Sequence, residues 1–216
     1  MNSEQHTKKS KTQASLAGTA VQGKTSERRW RAARRLTDQS ILIRLSKNAK
    51  DDAVRATVVE RILDQAVLAR VAQNDPNPYV RLTAARKIEN QAILAVLVRL
   101  DKNRHVRLTA LQKLKSQVDL ARAAEKDHNH HIRLAAVTRL TDQAILEKLV
   151  DKAMDMSVRK IVFQKLIEIK IQNERKNGKK RSNHKPETCR QSVHLAVSPF
   201  GKPLLETDWH EDFNQP

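Results

Sequence analysis

Three histidines stand close together in this chain, His128, His130 and His131, and His105 precedes the last of them by 26 positions. Imidazoles on neighbouring turns are the usual beginning of a zinc site. No carboxylate or cysteine recurs with them, however, so a polar surface turn is the expected role and no metal is expected. Cys189 is the single cysteine, which leaves no thiolate set and no disulfide framework within one chain. Gly18, Gly23, Gly178 and Gly201 are the only glycines, and they cannot write a P-loop or a dinucleotide-binding turn. No catalytic residue and no cofactor are expected. The chemistry open to this chain is that of its charges.

Forty-two Lys and Arg against 24 Asp and Glu give a formal charge of +18 and a pI near 10.4, a balance suited to polyanions or to acidic protein surfaces. The cations fall into columns. Arg29, Arg55, Arg81, Arg107, Arg133 and Arg159 lie close to an apolar helical stripe, where an unpaired charge is costly, and Asp75, Asp101 and Asp127 each precede one of them by six residues. A second column, Arg35, Arg61, Lys87, Lys113, Arg139 and Lys165, flanks the same stripe and reads either as a solvated edge or as a stripe for a polyanion. A third, Arg44, Arg70, Arg122 and Lys148, is interrupted by Val96 and points away from the apolar stripe of a second helix. Gln39, Gln65, Gln91, Gln117 and Gln143 form one more column, best explained by a hydrogen bond at a helix start or between repeats.

These columns exist because a 26-residue block returns along the chain. Val54-Arg55, Val80-Arg81, Val106-Arg107, Ile132-Arg133 and Val158-Arg159 keep constant separation, and Arg28-Arg29 opens the block once earlier. Each block begins with apolar residues at helical spacing, such as Val80, Ala84, Ala85 and Ile88, over about ten residues. A cap residue follows at Asp38, Asp64, Asn90, Ser116 and Asp142, and then a second apolar stripe such as Leu68, Val71 and Ala72. One such block cannot bury its apolar face alone, so neighbours must stack and share a core. The expected fold is all-α, an α-solenoid of about six stacked two-helix repeats.

From Ile132 to Gln143 the block reads Ile-Arg-Leu-Ala-Ala-Val-Thr-Arg-Leu-Thr-Asp-Gln, and in this shape it resembles the short HEAT-like, armadillo-like repeats of bacterial type over about residues 28–168. The resemblance implies that Asp and Arg tie successive repeats together, Asp75 with Arg81, Asp101 with Arg107 and Asp127 with Arg133. Before Arg55 and Arg159 the Asp is replaced by Ala49 and Ala153, so Asp51, Asp52 or Asp155 is expected to substitute. It also implies that second helices line the concave face, which would put Arg44, Arg70, Arg122 and Lys148 in a binding groove. HEAT-like alkylpurine DNA glycosylases use aromatic residues to hold an exposed base. The repeats here offer only Trp30, Tyr79 and Phe163, too few for that cage.

Residues 1–25 are rich in Ser, Thr, Gln and Lys and are expected as a disordered arm, ahead of an array over residues 26–174. At the far end Glu168-Ile169 replaces the cap and Gln, so the last helix is expected to run on into Arg175 to Arg181 and to stop at Gly178. Residues 175–216 are expected as a tail, basic and then acidic, mostly disordered. The opening residues lack the apolar stretch of a secretory signal and no run is long enough for a membrane span, so a cytoplasmic monomer without membrane contact is expected. The expected function is that of a non-enzymatic scaffold whose groove binds an acidic protein or peptide. Sequence-nonspecific nucleic-acid binding by the second column and the basic tail is the alternative.

Overall fold

A computed structural model describes residues 2–152 and 155–181, and among them every element is a helix. These are α1 (Asn2–Gln22), α2 (Ser26–Arg35), α3 (Gln39–Asn48), α4 (Asp52–Val59), α5 (Gln65–Asn74), α6 (Pro78–Lys87), α7 (Gln91–Leu100), α8 (Arg104–Lys113), α9 (Gln117–Lys126), α10 (His130–Arg139), α11 (Gln143–Lys152) and α12 (Met156–Arg181). The chain divides into two compact units, residues 1–173 and residues 174–216. The first is an α-solenoid of stacked hairpins around one continuous core, which runs from Ala17 through Leu68, Ile88, Leu111 and Leu140 to Val162.

The helices pair half a block out of phase with the sequence reading. Close partners are α1 with α2, α3 with α4, α5 with α6, α7 with α8 and α9 with α10, so each hairpin joins the second helix of one block to the first helix of the next. A period can be cut anywhere, and the first-column arginine decides where the fold closes. Arg81 Nη1 donates to the main-chain carbonyls of Asp75 (2.9 Å) and Pro76 (3.1 Å), drawing α6 back onto the end of α5. Arg107 does the same at Asp101 and Lys102, and Arg55 at Ala49 and Lys50.

The carboxylate partner of each arginine lies one repeat further on than expected. Arg81 grips Asp101, not Asp75, through Nε–Oδ2 at 2.8 Å and Nη2–Oδ1 at 3.0 Å. Arg55 holds Asp75, and Arg107 holds Asp127, in the same forked geometry. These bonds to Asp75 and Asp101 push the guanidinium groups of Arg55 and Arg81 above the ordinary arginine value. The Asp that precedes an Arg by six offers it only a backbone carbonyl, while its own carboxylate serves the previous hairpin. At the two ends Asp51 takes Arg29 and Asp155 takes Arg133 from the N-cap position two residues later. Asp51 and Asp155 thus substitute as expected, but for the arginine of the preceding block. Ala153 lies outside the described residues.

Glutamines make a second inter-repeat stitch. Gln91 Oε1 accepts from the N–H of Lys115 (2.8 Å) while its Nε2 donates to the carbonyl of Lys113 (3.3 Å), closing the exit of α8 onto the start of α7. Gln39 and Gln65 repeat the pattern at Arg61 with Leu63 and at Lys87 with Glu89. Gln143 turns instead to Glu147 on its own helix, because α12 runs straight through the place where the next such corner would lie. Gln91→Ala is therefore expected to lower stability by about 1 kcal/mol, and Gln143→Ala by only about 0.3 kcal/mol. Urea midpoints of the two variants check this difference.

Residues 2–22 form helix α1 rather than a disordered arm. The reason is register: Gln13, Leu16 and Ala20 stand 26 positions before Gln39, Leu42 and Ser46. Gln13 is buried and accepts from the N–H of Thr37 and Asp38, and Ala17 and Ala20 are buried beside it. The array thus begins one helix earlier than its apolar signal. At the other end α12 continues as expected past Glu168, but also through Gly178 to Arg181, since one glycine among helix formers costs only about 1 kcal/mol against alanine. Residues 182–216, where the acidic part of the tail was read, lie outside the described residues.

Candidate interaction surface

The even-numbered helices α2, α4, α6 and α8 stack more closely than the odd helices α3, α5, α7 and α9, while α9 and α11 approach each other as closely as α8 and α10. From α3 to α9 the odd helices form the wider of the two rows, and α11 continues it at closer spacing. All side chains of the third column are on that wider row: Arg44 on α3, Arg70 on α5, Arg122 on α9 and Lys148 on α11, each exposed, with half-buried Val96 at the same position on α7. The half-block shift makes each of these helices the first of its hairpin rather than the second.

Wide spacing opens clefts between successive odd helices. Between α3 and α5 a cleft of about 290 Å³ is lined by Lys47, Arg70 and Asn74. Between α7 and α9 lies one of about 590 Å³, with Arg99, Lys102, Arg122 and Lys126, and one half-buried carboxylate, Asp119, around Ala95, Val96 and Leu100. A third, of about 710 Å³, has Lys126 and Lys152 on its walls together with Glu125. An arginine–aspartate rung forms part of each lining: Arg55 with Asp75, Arg107 with Asp127, and Arg133 with Asp155. The rung neutralises itself, so the excess charge of each cleft comes from its exposed walls. Arg70 and Arg122 line clefts, and Arg44 and Lys148 stand on the same row outside them. The sequence reading missed Lys47, Arg99, Lys102, Lys126 and Lys152. Lys126 and Lys152 share one register position and Lys47 and Arg99 another, with Gln73 between them, so periodicity carried only these two short signals.

The second column is turned onto the fold's own backbone. Arg61 donates to the carbonyl of Arg34, Lys113 to Arg86, Arg139 to Leu111 and Lys165 to Leu140. Lys87 reaches the carbonyls of Val59, Glu60 and Ile62, and burial holds its ammonium below the ordinary lysine value. These carbonyls close the C-termini of the preceding even helices, the negative ends of their dipoles. Helices commonly end on a glycine in the left-handed conformation. With no glycine between Gly23 and Gly178, this array ends them on a cation from the next repeat. Arg35, on the first even helix, is exposed. The stripe that the sequence offers to a polyanion is thus largely occupied from within.

Each histidine of the cluster has a separate local partner. Arg104 donates to His105, Arg107 Nη2 lies 2.9 Å from His128 Nε2, and His130 Nδ1 meets the carboxylate of Asp155. Arg133, and after it His130, hold that carboxyl far below the ordinary range. His131 stands edge-on to His130 with ring centroids 5.6 Å apart. Among the described residues no group of three or more His, Cys, Asp or Glu side chains is placed to share an ion. Nor is any helix among them long and apolar enough to cross a membrane.

Comparison with known protein families, with curated proteins and with solved structures finds no match to this chain.

Proposed function

We propose that this chain is a non-enzymatic scaffold of HEAT-like kind that binds an acidic protein surface or peptide across the clefts of its wider helix row. The observation that supports the reading most is the central cleft, where four exposed cations surround an apolar floor. Single rim ion pairs contribute little, so affinity has to come from apolar burial at the floor together with several charges acting at once. An excess of one sign along the cleft walls concentrates the field and speeds encounter with an acidic partner. The edge cations favour this reading over a nucleic-acid stripe because their donors are already committed to helix ends.

Poly-glutamate and single-stranded RNA, each labelled and titrated by fluorescence anisotropy, separate the two. The double variant Arg70→Glu, Arg122→Glu is expected to weaken poly-glutamate binding by about a hundredfold, or about 2.7 kcal/mol. Unchanged binding by that variant removes the clefts as the site. RNA that binds more tightly than the peptide, loses affinity steeply between about 50 and 200 mM salt, and ignores the two reversals would move the function to nucleic acid.

A further inference from the structure

Phe163 breaks a uniform column of the array. Ala33, Val59, Ala85, Leu111 and Val137 precede it at intervals of 26 residues, and all five are fully buried. Phe163 is 43% exposed, because among the described residues no hairpin follows α12. Ile167, 59% exposed, and Ile171 continue the surface. At 100° per residue the three lie within about 80° of one another, and roughly half a turn from Val158 and Val162, which seat the helix on the core. A terminal helix of an array ordinarily turns a polar face to water. This one presents an apolar stripe, the mark of a face that a partner covers.

Length and symmetry select that partner. The face from Lys160 to Glu174 is about 21 Å long, whereas a ten-residue helix such as α10 measures about 15 Å. A second α12 matches it from end to end. Phe163 and Ile171 stand four residues either side of Ile167, and Lys160 and Glu174 seven either side. An antiparallel copy on a two-fold axis through Ile167 therefore sets Ile167 on its own counterpart, Phe163 on Ile171 and Lys160 beside Glu174, the last two contacts occurring twice. A parallel copy in register sets Lys160, Lys170 and Glu174 each on its own like charge. We infer that two copies of this chain associate through α12, antiparallel about Ile167, in place of the monomer expected from the sequence. The stripe shares no residue with the clefts, so the inference stands apart from the acidic-partner reading. A single helix pair buries less than the roughly 1,200 Å² of stable complexes, so a dissociation constant on the order of 10 μM is expected. Each copy carries a formal charge of +18, and salt that screens this repulsion tightens the pair.

Sedimentation velocity of the full chain, over about 1 to 200 μM, is expected to show monomer passing to dimer and no further. The dimer is expected to tighten about threefold or more as salt rises from about 50 to 500 mM. Ile167→Glu, at an exposed site, is expected to leave the urea midpoint unchanged and to weaken the dimer by about a hundredfold, because two carboxylates then meet at the axis. Register is read by cross-linking in a Cys189→Ser background. Mild oxidation is expected to join Ile167→Cys to itself and Phe163→Cys to Ile171→Cys when those variants are mixed, and to leave Phe163→Cys alone unlinked. Self-linking of Phe163→Cys as readily as the mixture would make the pair parallel and overturns the proposal. So does growth beyond the dimer, which would mean head-to-tail stacking, and so does a dimer that survives Ile167→Glu. A chain that stays monomeric at every concentration and salt also overturns it, and leaves the stripe to an occupant of another kind.

Discussion

Asp127→Ala is expected to destabilise the array by about 3–5 kcal/mol, the cost of leaving a desolvated charge without its counter-ion. Its partner Arg107 is the largest fully buried side chain among the described residues, 2% exposed against 5% for Asp127, and both arms of its fork end on that one carboxylate. The same carboxylate accepts from the N–H of Asn129, so the turn into α10 loses a bond as well. At the array's beginning the corresponding pair, Arg29 with Asp51, is 25% and 14% exposed, and water can take over part of the role. Asp51→Ala is expected to cost about 2 kcal/mol, the cap of α4 included. Replacing both members of the buried pair, Arg107→Met with Asp127→Leu, should recover most of the loss, because no charge is then stranded. Urea denaturation of the three variants tests the argument. Equal losses for Asp127→Ala and Asp51→Ala would show that desolvation is not what makes the central rung costly.

The rung also shows how much of this protein was legible in its residues. The column and its need for a carboxylate partner were present in the Asp and Arg spacing, and the tying of repeats was implied by the HEAT-like resemblance. Which Asp met which Arg was not, because sequence distance favours the partner six residues away and the fold uses the one 20 residues away. The 26-residue period set the repeat length but carried no information on phase, so the hairpins came out cut in the wrong place and the first and second helices of each hairpin exchanged roles. The basic edge was readable as a column and not as a set of helix caps, since the carbonyls it serves lie 25–28 residues back on another helix. Helix α1 carried a faint signal in Gln13, in register with Gln39, beneath a composition that reads as disordered. The clefts left almost no trace. Their cations come from different register positions on neighbouring helices, and only stacking brings them to one wall.

Leu111→Ala is expected to divide the array rather than unfold it evenly. Leu111 is fully buried in α8 at the middle of the continuous core, and its truncation should cost about 2–5 kcal/mol through lost transfer energy and the cavity left behind. In a linear array each hairpin is stabilised by its neighbours alone, so the loss falls on the α6–α8 and α8–α10 contacts and not on distant ones. Hydrogen exchange should therefore accelerate most in α7 to α10, less in α3 to α6, and urea unfolding should broaden or split. Leu100→Ala, at a site 64% exposed on a cleft wall, is expected to shift stability by no more than about 0.5 kcal/mol. Uniform acceleration across all helices in Leu111→Ala would mean that the ion-pair rungs and glutamine stitches couple the repeats more strongly than the apolar contacts between neighbours. The solenoid would then act as one rigid bar, and the spacing of its clefts would be held fixed against any partner.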